Sequence, residues 1–308
     1  MMKSWKKLGL LIVVGLVANT SSAMESSQPT FALEFNIYGT GAEILLNDIP
    51  VYYHDDQGQS ISQKPVPESI VDGENVLTVR SFPLDEDHGQ YQKEAHIEAI
   101  ISVREKDGLP NEGKPLLQIK LNPTNAVDRL LEGSVAEYGD KDAVVLDHTE
   151  KQTIAERRTV IQSPFPRWAW QDGQVIEDSP ENFGSLLAVY KEIWAALNEG
   201  DKARVQALYD PAAQEFALAY HYQDKKHGHR IMNTGGLIGD GDWKLGSMDN
   251  FLNKFNYGLD IISNGKIVRI LDQKQRSPIV YLSRKAKIIS IQKFGFYKNK
   301  SGEWVMIR

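Results

Sequence analysis

The sequence predicts a two-domain chain, in which an N-terminal antiparallel β-sandwich is followed by a C-terminal α+β domain with helices on a curved antiparallel sheet. Three observations predict this fold class. Between residues 31 and 161, short stretches with the two-residue period of strands are separated by turn signals, with almost no helical periodicity. Residues 185–220 have the spacing of amphipathic helices. Hairpin-connected strands then follow, an order typical of α+β folds.

We divide the chain into a signal peptide (1–23), the β-sandwich domain (24–163), a connection rich in proline and tryptophan (164–178) and the α+β domain (179–308). In the first segment, three lysines precede the apolar run Leu8–Ala18, and small residues end it at Ala23. These features are typical of a cleavable export signal. An uncleaved anchor is the alternative, but no cationic stop-transfer sequence follows. We therefore expect a soluble periplasmic protein.

Composition narrows the range of partners. The chain contains no cysteine, which excludes disulfides and thiolate metal sites. Removing the signal's three lysines leaves 32 basic residues against 41 acidic ones, a net charge of −9 for the mature chain. Nucleic acids and anionic lipids attract concentrated positive charge, so we predict neither nucleic-acid binding nor membrane insertion. Another exported protein, or a small molecule of unknown identity, remains as a partner.

The sandwich is predicted from alternating strands and one tight hairpin. Asn47 and Asp48 separate two strands, and both residue types tolerate the positive φ that a two-residue hairpin needs. The predicted strands cover residues 31–37, 42–46, 49–53, 74–80, 97–103, 117–121, 144–146 and 159–161.

Two stretches of this domain, Ile44–Asn47 and Gly73–Val79, resemble the strand-and-turn signature of jelly-roll or galactose-binding-like sandwich modules. The resemblance covers about forty residues, and Asp48 stands where those modules usually have glycine. It implies sandwich architecture. A sugar site is an alternative for which Tyr52–His54 are the local candidates, but fold alone does not imply function.

The connection, Ser163–Gly173, contains two prolines and the aromatic residues Phe165, Trp168 and Trp170. Its prolines favour extended backbone. One interpretation is an exposed aromatic platform that binds a partner through Trp168 and Trp170. The other, which we favour, is that the aromatic rings hold the two domains together, since exposed aromatic patches are costly.

The α+β domain begins at the predicted helix cap Ser179. Gly200 is expected to end the first helix, Asp201 to cap the second, and Asp210–Pro211 to begin a third. Strands are predicted at residues 266–271, 278–282, 288–294 and 304–307.

The stretches Tyr190–Tyr209 and Ser301–Val305 resemble NTF2-like (SnoaL-like) cone domains. In that family a long helix runs into a Gly-Asp corner and a second helix, and the last strand carries a Gly-x-Trp motif. Members bind small molecules in the cone, catalyse isomerisation or hydration, or associate with proteins. The family's catalytic pairs have no residue-by-residue match here, so the resemblance implies architecture and no active site.

Two short segments contain residue types that are common in metal-binding and ligand-binding sites. His221, His227 and His229 lie within nine residues, but the lysines among them oppose a metal dication, and we interpret the segment as a solvated loop. The glycine-rich segment Gly235–Trp243 lacks the Gly-Lys-Ser/Thr that ends a phosphate-binding loop, and it lacks the further acids and terminal glutamate of a calcium loop. We interpret it as a flexible loop, a lid over the cone mouth. The predicted ligand-binding residues are Tyr190, Trp194, Tyr220, His221, Asp240 and Asp242.

Motifs of serine hydrolases, zinc proteases and dinucleotide-binding enzymes are absent. We predict no catalytic residue, metal ligand or cofactor. The expected function is that of an exported periplasmic binding protein, which acts through protein or ligand binding; an immunity or inhibitor protein is one specific form. The alternative is a small-molecule enzyme or carrier that uses the cone pocket.

Overall fold

The computed structural model describes residues 28–84, 90–105, 108, 112–124, 144–148, 152–273, 275–285 and 289–307. The predicted signal peptide lies outside the described residues. No helix within the described ranges is long and apolar enough to cross a membrane.

The N-terminal region is an antiparallel β-sandwich, as predicted. Its described residues form nine strands: β1 (Pro29–Tyr38), β2 (Gly41–Leu46), β3 (Ile49–His54), β4 (Ser60–Pro65), β5 (Gly73–Phe82), β6 (His96–Glu105), β7 (Lys114–Leu121), β8 (Val144–His148) and β9 (Thr153–Ile161). One sheet has the order β4-β1-β6-β7, and the other has the order β3-β2-β5-β9-β8. Strand β4 was not predicted, because its residues are mostly polar.

The hairpin between β2 and β3 forms at the predicted residues. Asn47 and Asp48 have φ values of 57° and 62°, the left-handed conformation that the tight turn requires. The Asn47 side chain also donates to the Ser69 carbonyl at 2.8 Å and accepts from the Val76 backbone amide at 2.9 Å. These bonds fix the end of the second sheet against its neighbouring loop.

The C-terminal region begins with helices α1 (Pro180–Glu199), α2 (Lys202–Ala219), α3 (Lys225–Ile231) and α4 (Met248–Lys254). The predicted caps are confirmed. The Ser179 hydroxyl accepts from the Asn182 amide at 3.2 Å, and Gly200 ends α1 with a φ of 70°. Asp201 caps α2 by accepting from the Arg204 amide at 3.0 Å.

The prediction that a third helix begins at Asp210–Pro211 is wrong, because α2 continues through both residues. A proline within a helix removes one hydrogen bond, and packing of the rest of the helix offsets that loss. The Asp210 carboxylate caps no helix and instead accepts hydrogen bonds from Lys225 and His229. The solvated loop predicted for residues 221–229 is also wrong in part, since its second half belongs to α3.

Seven strands follow in the described part of this α+β region. They are β10 (Trp243–Leu245), β11 (Tyr257–Ile262), β12 (Ile267–Asp272), β13 (Val280–Ser283), β14 (Ile289–Ile291), β15 (Phe296–Lys298) and β16 (Trp304–Met306). They form two antiparallel sheets, β11-β12-β15-β16 and β10-β13-β14. The apolar faces of α1 and α2 pack on β12 and β15 in one hydrophobic cluster, which we call the helical core.

The contact between the sandwich and the α+β region, which we call the seam, contains the predicted connection. Trp168 is 2% exposed and Trp170 is 7% exposed. The Trp168 indole donates to the Ile70 carbonyl in the sandwich at 2.7 Å, and the Ala169 amide donates to Glu215 on α2 at 2.8 Å. This agrees with the interpretation that these rings hold the two regions together, and it leaves neither indole at the surface for a partner.

The seam also contains polar and apolar contacts outside the connection. The Ser263 hydroxyl donates to the Asn47 carbonyl at 2.8 Å, across the seam. Apolar side chains of the C-terminal sheet and its last residues join the core of the sandwich, namely Ile262, Ile267, Tyr297 and Ile307. Apolar side chains of the two regions therefore form one continuous core at the seam.

Candidate functional site

Two of the predicted ligand-binding residues belong to the helical core. Tyr190 is fully buried, and its hydroxyl accepts from the Ile270 amide at 3.1 Å and donates to the Phe294 carbonyl at 3.3 Å. Burial raises the pKa of Tyr190 above its ordinary value. The Trp194 indole donates to the Gly246 carbonyl at 2.9 Å and packs on the same core. Both side chains hold secondary-structure elements together.

Two others, Tyr220 and His221, face the sandwich. The Tyr220 ring stacks on Phe216, with centroids 6.3 Å apart, and packs against the core of the sandwich. His221 has a φ of 61°, and its Nε2 lies 2.9 Å from the Pro29 carbonyl oxygen. These side chains stabilise the seam and do not join Tyr190.

The last two predicted residues lie in the glycine-rich segment. Asp240 accepts from the backbone amide of Asp242 at 2.9 Å, and Asp242 pairs with Lys285 at 2.6 Å. Leu237 and Ile238 of the same segment pack against the helical core. The six residues predicted to bind one ligand are therefore divided among the helical core, the seam and this turn.

A second group of polar side chains joins α2 to α3. His229 Nε2 lies 2.8 Å from one carboxylate oxygen of Asp210, and Lys225 binds the other. The hydrogen bond to Lys225, followed by that to His229, lowers the pKa of Asp210 below its usual range. Thr234 Oγ1 lies 3.4 Å from His229 Nδ1, but Thr234 is only 6% exposed. A hydroxyl–imidazole–carboxylate series therefore exists, with its hydroxyl turned away from solvent.

The close approach of α2 and α3 depends on Gly228. A Cβ atom at this position would lie 1.7 Å from the Ala213 carbonyl oxygen, so no other residue fits without moving the helix. Among the described residues, no group of three or more His, Cys, Asp or Glu side chains is placed to hold a metal ion.

The third group lies in the seam and is the candidate site. Tyr53 on β3, Glu43 on β2 and Arg80 on β5 are direct cross-strand partners, so they form one row across a sheet. The neighbouring residues of β2, Ala42 and Ile44, point into the core of the sandwich. The row therefore lies on the opposite face of this sheet, where Glu43 is 5% exposed.

A matching pair faces this row from the α+β region. Arg269 on β12 and Asp260 on β11 are cross-strand partners, and Arg269 donates to Asp260 through two nitrogens. Arg269 Nη2 also lies 3.7 Å from Glu43 Oε1, across the seam, and Arg80 Nη1 lies 3.2 Å from Glu43 Oε2. Burying such charges is costly unless they are paired, and here each carboxylate has a guanidinium partner.

Lys293 completes the group, which we call the seam cluster: Glu43, Arg80, Asp260, Arg269 and Lys293. This residue is half-buried, and its ammonium lies 4.2 Å from the centroid of the Tyr53 ring. Burial, and then the positive charge of Arg269, lower the pKa of Lys293, although Glu43, Asp55 and Asp260 oppose that change.

Three polar atoms of the seam cluster have no hydrogen-bond partner among the described residues. Glu43 Oε1 and Arg80 Nε are both buried and unpaired, since 3.7 Å to Arg269 is too long for a hydrogen bond. Lys293 Nζ has the Tyr53 ring but no acceptor in the described part of the chain. Buried polar groups are rarely left unpaired, so each of these atoms can take a further hydrogen-bonding partner.

Sequence reasoning missed this cluster, although a signal was present. Glu43 interrupts an apolar strand, and Arg269 interrupts the apolar stretch Ile267–Leu271. A charged residue within a strand buried on both faces needs a partner of opposite charge. The pattern does not say which charge pairs with which, because the partners are more than 200 positions apart.

Comparison with protein-family models, curated proteins and solved structures found no match for this chain. The resemblances to jelly-roll modules and to NTF2-like domains thus find support only in broad architecture, a β-sheet region followed by an α+β region.

Proposed function

We propose that this chain is an exported periplasmic binding protein whose ligand, a small anion, occupies the seam cluster. The observation that carries the proposal is the set of unpaired polar atoms on Glu43, Arg80 and Lys293. Sites for small molecules are common where two regions meet, and groups with perturbed pKa values beside charged partners are candidates for function.

The charge of the ligand follows from the donors. Two of the three unpaired atoms, on Arg80 and Lys293, are donors on cations, whereas both carboxylates of the cluster already pair with arginine. A carboxylate or phosphate would accept from both donors. A hydroxyl group on the same molecule, or a bound water, would donate to Glu43 Oε1.

The test uses residues 24–308 and a panel of small carboxylates and phosphate esters, followed by thermal shift and titration calorimetry. We expect at least one anion to raise the melting temperature, because a ligand that binds only the folded state stabilises it. The variant Lys293→Met should lose this shift. Lys298→Met is the matched control, since Lys298 also lies over an aromatic ring, 4.8 Å from Trp304, but outside the cluster.

Absence of a shift with every anion would overturn the proposed ligand class. Binding that survives in Lys293→Met at full strength would overturn the proposed site. Export is tested separately by cell fractionation and N-terminal sequencing, with a mature chain that begins at Met24 as the expected result. A chain that keeps residues 1–23 would contradict the signal peptide.

A further inference from the structure

Lys293 combines features that favour reactivity in an amine. Its side chain is half-buried, lies against the Tyr53 ring and has no hydrogen-bond acceptor in the described part of the chain. Arg269, a second cation, is close enough to disfavour its charge. Burial next to another cation is a recognised way in which proteins keep a lysine amine neutral and therefore nucleophilic.

The neighbours of Lys293 offer the other groups that an amine needs to react with a carbonyl compound. Arg80 Nε is an unpaired donor that can bind the carboxylate of a ligand, and Glu43 Oε1 is an unpaired acceptor that can take up a proton. Both belong to the same row as Tyr53, whose ring contacts the amine. The cluster thus contains a nucleophile, a hydrogen-bond donor that can bind an anion, and a proton acceptor.

We infer that Lys293 forms an imine with a small carbonyl-containing acid, such as an α-keto acid, bound at the seam cluster. This inference rests on the proposed function, because it names the class of anion that the same site would hold. Lys293, Glu43 and Arg80 are not among the ligand-binding residues predicted from the sequence.

Formation of the imine needs no oxidant or reductant. The neutral amine of Lys293 attacks the carbonyl carbon, a C–N bond forms, and the carbonyl oxygen takes up a proton to give a carbinolamine. The C–O bond then breaks, the oxygen leaves as water, and the nitrogen lone pair forms the C=N bond. Glu43 can carry each of the two amine protons in turn from nitrogen to oxygen, so that both leave in the water and a neutral imine remains.

The experiment traps the imine in the mature chain, residues 24–308. The protein is incubated with glyoxylate or pyruvate at about pH 7, well below the ordinary lysine pKa of about 10.4, and sodium borohydride reduces any imine to a stable secondary amine. Peptide mass mapping then locates the modified lysines. A lowered pKa raises the neutral fraction of an amine at this pH, so we expect Lys293 to be labelled in preference to Lys298.

Succinate, a carboxylate without a reactive carbonyl, separates the two proposals, because its reversible binding to the wild-type chain tests the anion site alone. The variant Lys293→Arg keeps the positive charge but has no amine that forms an imine, so it should lose the label. Circular dichroism checks that this variant is folded. Peptide mapping compares lysines within the wild-type chain, so it tests the inference even if the variant does not fold.

Each outcome decides something. Labelling spread evenly over the surface lysines, or none at Lys293 while succinate still binds, overturns the imine and leaves anion binding intact. If the wild-type chain shows neither labelling at Lys293 nor binding of succinate, the imine and the proposed function are overturned together. Selective labelling that disappears in Lys293→Arg supports the inference.

Discussion

Replacing Arg269 by methionine should destabilise the protein more than any change to a surface ion pair. Arg269 and Glu43 have side chains only 5% and 6% exposed, and Asp260 is 24% exposed. Removing one member of a buried ion pair leaves an uncompensated charge, which costs about 3–5 kcal/mol. Arg80 remains beside Glu43 at 3.2 Å, so we expect a loss near about 3 kcal/mol.

Urea unfolding monitored by tryptophan fluorescence measures this loss. With a slope of about 3 kcal/mol per molar, the midpoint should fall by about 1 M. The control is Arg167→Met, which breaks a pair with Asp172 whose side chains are 62% and 52% exposed. Pairs as exposed as this one contribute at most about 1 kcal/mol.

A double-mutant cycle tests the assigned partner. Glu43→Gln removes the carboxylate that Arg269 approaches, so Glu43→Gln combined with Arg269→Met should cost less than the sum of the two single changes, by about 0.5–3 kcal/mol. Strict additivity, or a loss below about 1 kcal/mol for Arg269→Met, would refute the reasoning that this pair holds the seam.

Three further predictions follow from other buried groups. Trp168→Phe should lower stability by about 1–3 kcal/mol in urea unfolding, because it leaves the buried Ile70 carbonyl without its donor. Tyr190→Phe should cost a similar amount, about 1–3 kcal/mol, since the Ile270 amide loses its acceptor. In the wild-type chain, the pKa of Lys293 is lower in the folded state than in the unfolded one, so the unfolded chain binds more protons between that pKa and about 10.4. Stability should therefore rise with pH across this window, and Lys293→Met should abolish that rise in urea midpoints measured from neutral to alkaline pH.

Distinct results would contradict each of these. Trp168→Phe at wild-type stability would mean that the indole hydrogen bond contributes nothing to the seam. An unchanged unfolding midpoint in Tyr190→Phe would show that the hydroxyl does not support β12. A Lys293→Met variant with the same alkaline slope as the wild type would mean that other groups cause it.

Much of the fold could be predicted because its signals are local. The hairpin at Asn47–Asp48, the caps at Ser179 and Asp201, and the end of α1 at Gly200 each depend on side chains acting on backbone within a few positions. Most of the described strands are predicted from apolar patterns, which require only that one face be buried, but β4, β10, β11 and β15 are not.

The errors have an equally specific cause. Asp210–Pro211 has the local chemistry of a helix start, but Asp210 binds Lys225 and His229 from the next helix, and α2 continues. Here tertiary contacts outweighed a local preference. The predicted ligand residues Tyr190 and Tyr220 are both aromatic, but they lie in separate hydrophobic cores.

The sequence by itself determined the order of fold types, the main caps and turns, and the presence of charges such as Glu43 and Arg269 within apolar strands. Only the tertiary structure decided that these two charges meet, that Trp168 is buried between the two regions, and that Lys293 lies over Tyr53. The physical reason is that periodicity says which face of a strand is buried but not what covers it, and the pairing of distant faces depends on how both regions pack as wholes.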